Sequence, residues 1–301
     1  MLIGKNRLNS TQIWFNRHSA WFLGLAILAI IIFIKPLAIV VGSSVSVDQY
    51  SQILIAAPLS VALVYLEKSA IYARVSFSKW GAVAFAVACG AFATTMVFAA
   101  ALEPSLVISI SILLFSFCCI AAFWFSYGDK ALWSGLFPVC FLVVMTPLPD
   151  ALRLHVITFL QYGSAVVTDW FFSAANIPFS RDGVIIMLPT VTIEIAQECS
   201  GIRSSMILVI AGLVLAHLFL RKIHSKIILL VLLVPLTIIK NALRIFSLST
   251  LGMYVNESFL TGRLHHQGGV VFFALAFFAL WALVWILQKV EGRLMPIKSV
   301  L

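Results

Sequence analysis

Apolar residues fill long uninterrupted stretches of this chain, and eight of them approach the ~20 residues that a helix needs to cross a bilayer. Five are clear: 80–102, 106–127, 202–220, 227–246 and 267–287. Three are less regular, because 21–42 is interrupted by Lys35-Pro36, 52–66 is short, and 132–145 stops at Pro147-Leu148-Pro149. Residues 146–198 are too polar to span continuously. Within them, 150–175 places Leu152, Val156, Phe159, Leu160, Val166, Val167, Trp170 and Phe171 at helical intervals, with Arg153, Gln161 and Asp169 between. That spacing predicts an interfacial amphipathic helix. Residues 184–195 are rich in β-branched side chains and alternate after Thr190, with a Pro189-Thr190 turn signal, which predicts a small β-hairpin. The expected fold is an all-α integral membrane domain over 1–301 with about eight transmembrane helices, one extracytoplasmic amphipathic helix and that hairpin. The first apolar run lacks a small-residue cleavage site, so no cleavable signal peptide is expected.

Composition agrees with this pattern: 62% of the 301 residues are hydrophobic and 10% charged. Soluble domains carry about 25% charged residues, and a chain with 24 Phe and 8 Trp is not disordered. The net charge of +9 would suit a nucleic-acid binder, but sorting the charges by loop gives a different meaning. With a cytoplasmic N-terminus and eight spans, the cytoplasmic pieces hold 13 of the 20 Lys and Arg residues and 3 of the 11 acids. This is the positive-inside bias, so both termini are expected in the cytoplasm and no nucleic acid is expected as partner.

Few polar groups remain as candidates for chemistry. Cys89, Cys118, Cys119 and Cys140 lie in apolar stretches and read as small packing residues, and no ligand spacing suggests a metal or other cofactor. Cys199 differs, because Glu198-Cys199-Ser200-Gly201-Ile202-Arg203-Ser204-Ser205 opens the sixth span. A thiol ahead of a helix N-terminus, with Arg203 one turn on, is biased toward thiolate. A plain helix start capped by Ser200 is the equally weighted alternative. Arg244 lies in Asn241-Ala242-Leu243-Arg244-Ile245-Phe246 near the expected outer end of the seventh span, where a charge costs ~2.5–3.5 kcal/mol on insertion scales and therefore seeks a cavity or partner. Lys240 lies deeper on the same helix and suits snorkelling less well than Arg244. His265 and His266, followed by Gln267-Gly268-Gly269, open the eighth span at the same expected face.

A thiolate, a histidine base and a cation for the developing oxyanion make a set capable of cysteine acyl transfer. Two rival classes remain. Lys35, Lys240 and Arg244 in apolar spans would suit a transporter or channel for an anionic solute, although mid-span acids of a proton relay are absent. A noncatalytic membrane scaffold would leave Cys199 dispensable.

At the residues just quoted the sequence resembles the exosortase/archaeosortase family of integral-membrane cysteine transpeptidases. The resemblance rests on Glu198 to Ser204, on Asn241-Ala242-Leu243-Arg244-Ile245, on His265-His266-Gln267-Gly268-Gly269-Val270-Val271-Phe272-Phe273, and on the lead-in Thr146-Pro147-Leu148-Pro149. It covers a core of about 131–290, whereas 1–130 matches only as a generic multispan region. It implies a triad of Cys199 as nucleophile, Arg244 as oxyanion or substrate stabiliser, and one histidine as general acid and base. The spacing His-x-x-x-Gly before an apolar aromatic run favours His265, with His266 as the alternative, because Val270 stands where the family pattern often has Trp. The resemblance further implies a bacterial inner (plasma) membrane protease that has its active site at the extracytoplasmic face. Its partners would be membrane lipid, exported proteins bearing a C-terminal tripartite signal of the PEP-CTERM type, and an amine acceptor of unknown identity.

Overall fold

The computed structural model describes residues 17–43, 51–197, 201–255 and 269–292, which form two compact units divided between Asp150 and Ala151. The first contains helices α1 (Arg17–Ile32), α2 (Ile34–Ser43), α3 (Ser51–Leu66), α4 (Lys68–Ile71), α5 (Lys79–Val97), α6 (Pro104–Ser134) and α7 (Leu136–Cys140). Short 3-10 turns occupy Ala99–Ala101 and Phe141–Met145. The second contains α8 (Asp150–Ala174), strands β1 (Ser180–Asp182), β2 (Ile185–Met187) and β3 (Thr192–Glu194), and helices α9 (Ile202–Phe219), α10 (Ile223–Tyr254) and α11 (Gly269–Val290).

Five helices, α5, α6, α9, α10 and α11, are long and apolar enough to cross a membrane, and two bent pairs raise the number to seven. The five correspond to the five clear apolar stretches. The less regular stretches depart from the expectation of eight spans, each for a visible reason. The first, 21–42, is two helices bent by 77° at Phe33, just before Pro36, whose missing N–H interrupts the ladder. The second is helical but short. The third, 132–145, is not one helix: α6 runs on to Ser134, Gly135 separates it from the five-residue α7, and a 3-10 turn follows. This segment reaches span length only when paired with α8.

Within the first unit, α5 and α6 approach closely because Gly81 has no side chain: a Cβ there would sit 2.2 Å from the Phe125 amide nitrogen. The chain leading into α5 is tied to α6, just before its break at Gly128, by Ser76 N–H to Tyr127 O (3.2 Å) and Ser78 N–H to Phe125 O (3.0 Å). Gly128 breaks α6 there with φ +86°, and a Cβ would collide with Ser76.

In the second unit, α9 and α10 form an antiparallel pair whose seam with α11 contains Leu208, Leu215, Leu229, Leu233, Ala276, Leu280 and Val284. Gly212 admits Leu233, whose Cδ1 would lie 2.6 Å from a Cβ at that position. Glu291, just beyond α11, accepts the free amides of Arg221 (3.2 Å) and Lys222 (3.1 Å) at the start of α10. A carboxylate there complements the positive end of the helix.

The helix predicted over 150–175 forms as α8. Gln161, Ser164 and Thr168 are buried, whereas Leu152, Phe159, Tyr162, Val166 and Trp170 are exposed. At 25 residues it measures about 37 Å. Its buried side also carries Ile157, Leu160, Ala165 and Phe172, so the three polar groups are enclosed among apolar packing while large apolar side chains face outward.

The predicted hairpin is present as β2 and β3 within a three-stranded antiparallel sheet of order β1-β2-β3. The additional strand pairs Asp182 with Ile185 across Gly183-Val184. Gly183, at φ +60°, is the first residue of this two-residue loop, the position that a tight hairpin reserves for glycine. Strand β1 carries Ser180-Arg181-Asp182, all exposed, so no apolar alternation announced it. The inner side of the sheet, Ile186, Leu188 and Ile195, packs with Ala165, Phe172 and Ile245. Arg181 Nε donates to Asp169 Oδ2 at 2.6 Å, and Gln161 Nε2 donates to Ile195 O at 2.6 Å, fastening the sheet to α8.

Candidate active site

The candidate site belongs to the second unit and is built where α9 begins. Gly201 is the helix N-cap and adopts the left-handed conformation, φ +70° and ψ +17°. Its carbonyl accepts the Ser205 N–H at 2.9 Å and the Ser204 hydroxyl at 3.0 Å. A glycine is required twice over. A side chain would be strained at this φ, and a Cβ would meet Asn241 Oδ1 at 3.0 Å and Lys240 Nζ at 3.4 Å. With no side chain on the N-cap, the first turn of α9 keeps its free N–H groups uncovered by the cap residue.

Helix α10 supplies the facing wall. Lys240 is 6% exposed, and its Nζ donates to Ser204 Oγ at 2.5 Å. The next residue, Asn241, is 1% exposed, and its Nδ2 donates to Ser164 Oγ on α8 at 3.1 Å. Below it, Thr168 Oγ1 donates to Ser164 O at 2.7 Å. Gly163 lets α8 come close to α10, since a Cβ there would lie 2.9 Å from Ile238 Cδ1. Three helices thus share a continuous polar seam through otherwise apolar packing. Lys240 with Ser204 and Asn241 with Ser164 pair across helices, whereas Thr168 bonds back to Ser164 on its own helix; such pairing accommodates polar groups away from water.

Arg244 is partly buried on α10, four residues beyond Lys240 and therefore on the same side of the helix. The other sequence candidates, Cys199, His265 and His266, lie outside the described residues, as does Glu198. The described geometry brings together Gly201, Ser204, Lys240 and Asn241 beside the turn that carries Arg244. Glu194 is exposed on β3 and Arg203 is exposed on α9. Lys240 does not snorkel to an interface; its ammonium is retained inside by Ser204. Sequence reasoning singled out neither Ser204 nor Ser164. The signal that pointed toward them was a lysine in the middle of an apolar run, which needs a polar partner on a neighbouring helix.

The remaining thiols are packing groups. Cys89, Cys118, Cys119 and Cys140 are free, with the Cys89 and Cys118 sulfurs 3.8 Å apart between α5 and α6. Among the described residues, no group of three or more His, Cys, Asp and Glu side chains is placed to hold a metal ion.

A family model described as transmembrane exosortase (Exosortase_EpsH) matches residues 44–282, well over half of the chain. The chain belongs to the exosortase family. The matched range includes all of α9 and α10 and extends beyond His265 and His266, so the three motifs that carried the resemblance fall inside it. No curated protein and no solved structure matches the chain. Exosortase membership and several long apolar helices together make this a multi-pass membrane protein.

Proposed function

We propose that this exosortase-family chain is a membrane-embedded cysteine protease and transpeptidase that removes the C-terminal sorting signal of exported proteins. The observation that carries the reading is the family match across 44–282, which includes Cys199, Arg244 and the histidine pair in the order of the motifs that carry the resemblance. The first turn of α9, whose N-cap Gly201 has no side chain, set against Lys240 and Asn241 in the turn before Arg244, supports it.

In the proposed reaction, His265, or His266 in its place, takes the Cys199 proton. The thiolate attacks the scissile carbonyl, and Arg244 stabilises the resulting oxyanion or orients the carbonyl. Collapse of the tetrahedral intermediate breaks the C–N bond. The histidine returns the proton to the departing amine, leaving a thioester on Cys199. Water then yields a free carboxylate, or an amine acceptor yields an amide, and either restores the thiol. The substrate is a tripartite signal of PEP-CTERM type: a short motif, an apolar helix and a basic tail. Its helix would lie in the bilayer, its basic tail in the cytoplasm and its motif at the extracytoplasmic face of the inner (plasma) membrane. Both termini of the enzyme are then cytoplasmic, as the loop charges favour.

Co-expression of a tagged substrate with the wild type and with Cys199→Ala tests this. Processing should stop in the variant, and mass spectrometry of the new C-terminus should show a free carboxylate for hydrolysis or an added mass for transfer. Undiminished processing by Cys199→Ala removes the assignment.

A further inference from the structure

Among the described residues, Lys240 is the one charged side chain that is buried. Burying an ammonium is costly, and a Met of similar length would fill the same space without that cost. The lysine is instead tied into a relay: Lys240 Nζ donates to Ser204 Oγ (2.5 Å), and Ser204 Oγ donates to Gly201 O (3.0 Å). The relay ends on the left-handed residue that starts α9.

Its electrostatic setting is unusual. The first turn of α9 is the positive end of a helix dipole, and Arg244 adds a second cation one turn away on α10. Arg203 on α9 points to an exposed position, the buried polar residues of α8 are the uncharged Gln161, Ser164 and Thr168, and α11 offers Ala276, Leu280 and Val284 to the seam. A cation retained beside a helix N-terminus is favourable when negative charge develops next to that turn. On the reading proposed above, acyl transfer generates such charge twice, first as the thiolate of Cys199, two residues before Gly201 in the sequence, and then as the oxyanion.

We infer that Lys240 is a positioning residue for this reaction: through Ser204 it fixes Gly201 and the first turn of α9, and its charge favours the anionic states formed beside that turn. The inference rests on Cys199 being the nucleophile. The charge, rather than the packing volume, is the functional property.

The test uses the full chain and a co-expressed tagged substrate, with Lys240→Met, Lys240→Arg, Ser204→Ala, the Lys240→Met/Ser204→Ala double variant and Cys199→Ala. Folded yield and melting temperature in detergent are read alongside the processing rate. Lys240→Met should melt at or above the wild-type temperature, because a buried charge is gone, while its processing rate falls about tenfold or more, less than loss of a direct oxyanion donor costs. Lys240→Arg should recover part of the rate, and the double variant should be no slower than Lys240→Met alone, as expected for residues acting in one relay. Near-wild-type processing by Lys240→Met, or a loss matched by loss of folded protein, overturns the positioning role. If Cys199→Ala is inactive in that case, only the Lys240 inference fails. If Cys199→Ala still processes substrate, the nucleophile assignment and the inference fall together.

Discussion

Asn241 Nδ2 donates to Ser164 Oγ at 3.1 Å, a contact between two buried side chains 77 residues apart that joins α10 to α8. This bond holds the helix carrying Lys240 and Arg244 against the helix that supports the sheet. Replacing Asn241 by Leu leaves Ser164 without that donor in an apolar seam. The expected cost is ~1 kcal/mol or somewhat more, the scale of interhelical hydrogen bonds in membranes. Thermal unfolding in detergent should register it, and Ser164→Ala should cost less on the Asn241→Leu background than on the wild type.

Gly201→Ala tests the geometry at the start of α9. The new methyl would occupy a left-handed position and approach Asn241 Oδ1 at 3.0 Å. Backbone strain of this kind costs ~1–2 kcal/mol, and the displaced atoms are those of the candidate site. Processing of a tagged substrate should therefore fall by more than the loss of folded protein explains. Equal losses would mean that Gly201 matters for folding alone.

Gly81→Ala and Gly128→Ala probe the first unit, which does not contain the candidate site. At Gly81 the obstacle is backbone, with Phe125 N at 2.2 Å, and at Gly128 a positive φ adds to the clash with Ser76. Neither can be relieved by a rotamer change. Both variants should accumulate poorly or melt earlier, by an amount typical of core overpacking, ~1–3 kcal/mol. Wild-type melting temperatures for either would contradict the close approach of α5 and α6.

Stability should depend on acid pH through Glu291. Burial alone would raise its pKa, but the Ser225 hydroxyl, the Arg221 and Lys222 amides and the Lys222 charge together hold it below the ordinary glutamate value. A folded-state value below the unfolded one means that the stabilisation is present above about pH 4.3, the unfolded value, and is lost as pH falls through the folded one. Melting curves between about pH 3 and 7 should show a decline at the acid end that is reduced in Glu291→Gln. An identical pH dependence in both proteins would rule out this carboxylate as a contributor.

Much of the architecture was readable in order along the chain. The five long apolar runs needed no tertiary information, since a lipid-facing helix must be apolar over its whole length wherever it packs. Family membership was likewise legible in three short motifs. The irregular elements were harder. Residues 132–145 looked like a span by hydropathy, yet Gly135 separates the end of α6 from a helix of only five residues, and a 3-10 turn follows. Strand β1 had no hydrophobic alternation because all three of its residues are exposed, and its pairing with β2 arises from the Gly183 turn.

The sequence by itself determined that this is a polytopic membrane protein and which few polar residues are candidates for chemistry, because apolar surroundings leave so few positions for them. Tertiary structure alone decided which polar residues of neighbouring helices meet. Hydropathy along one helix is blind to the neighbour across the seam. Gln161 on α8 therefore read as part of a polar face, and nothing along that helix showed that Ser164 would meet Asn241. Lys240 likewise was too deep for an easy interfacial anchor, but only the fold set Ser204, on another helix, against its ammonium.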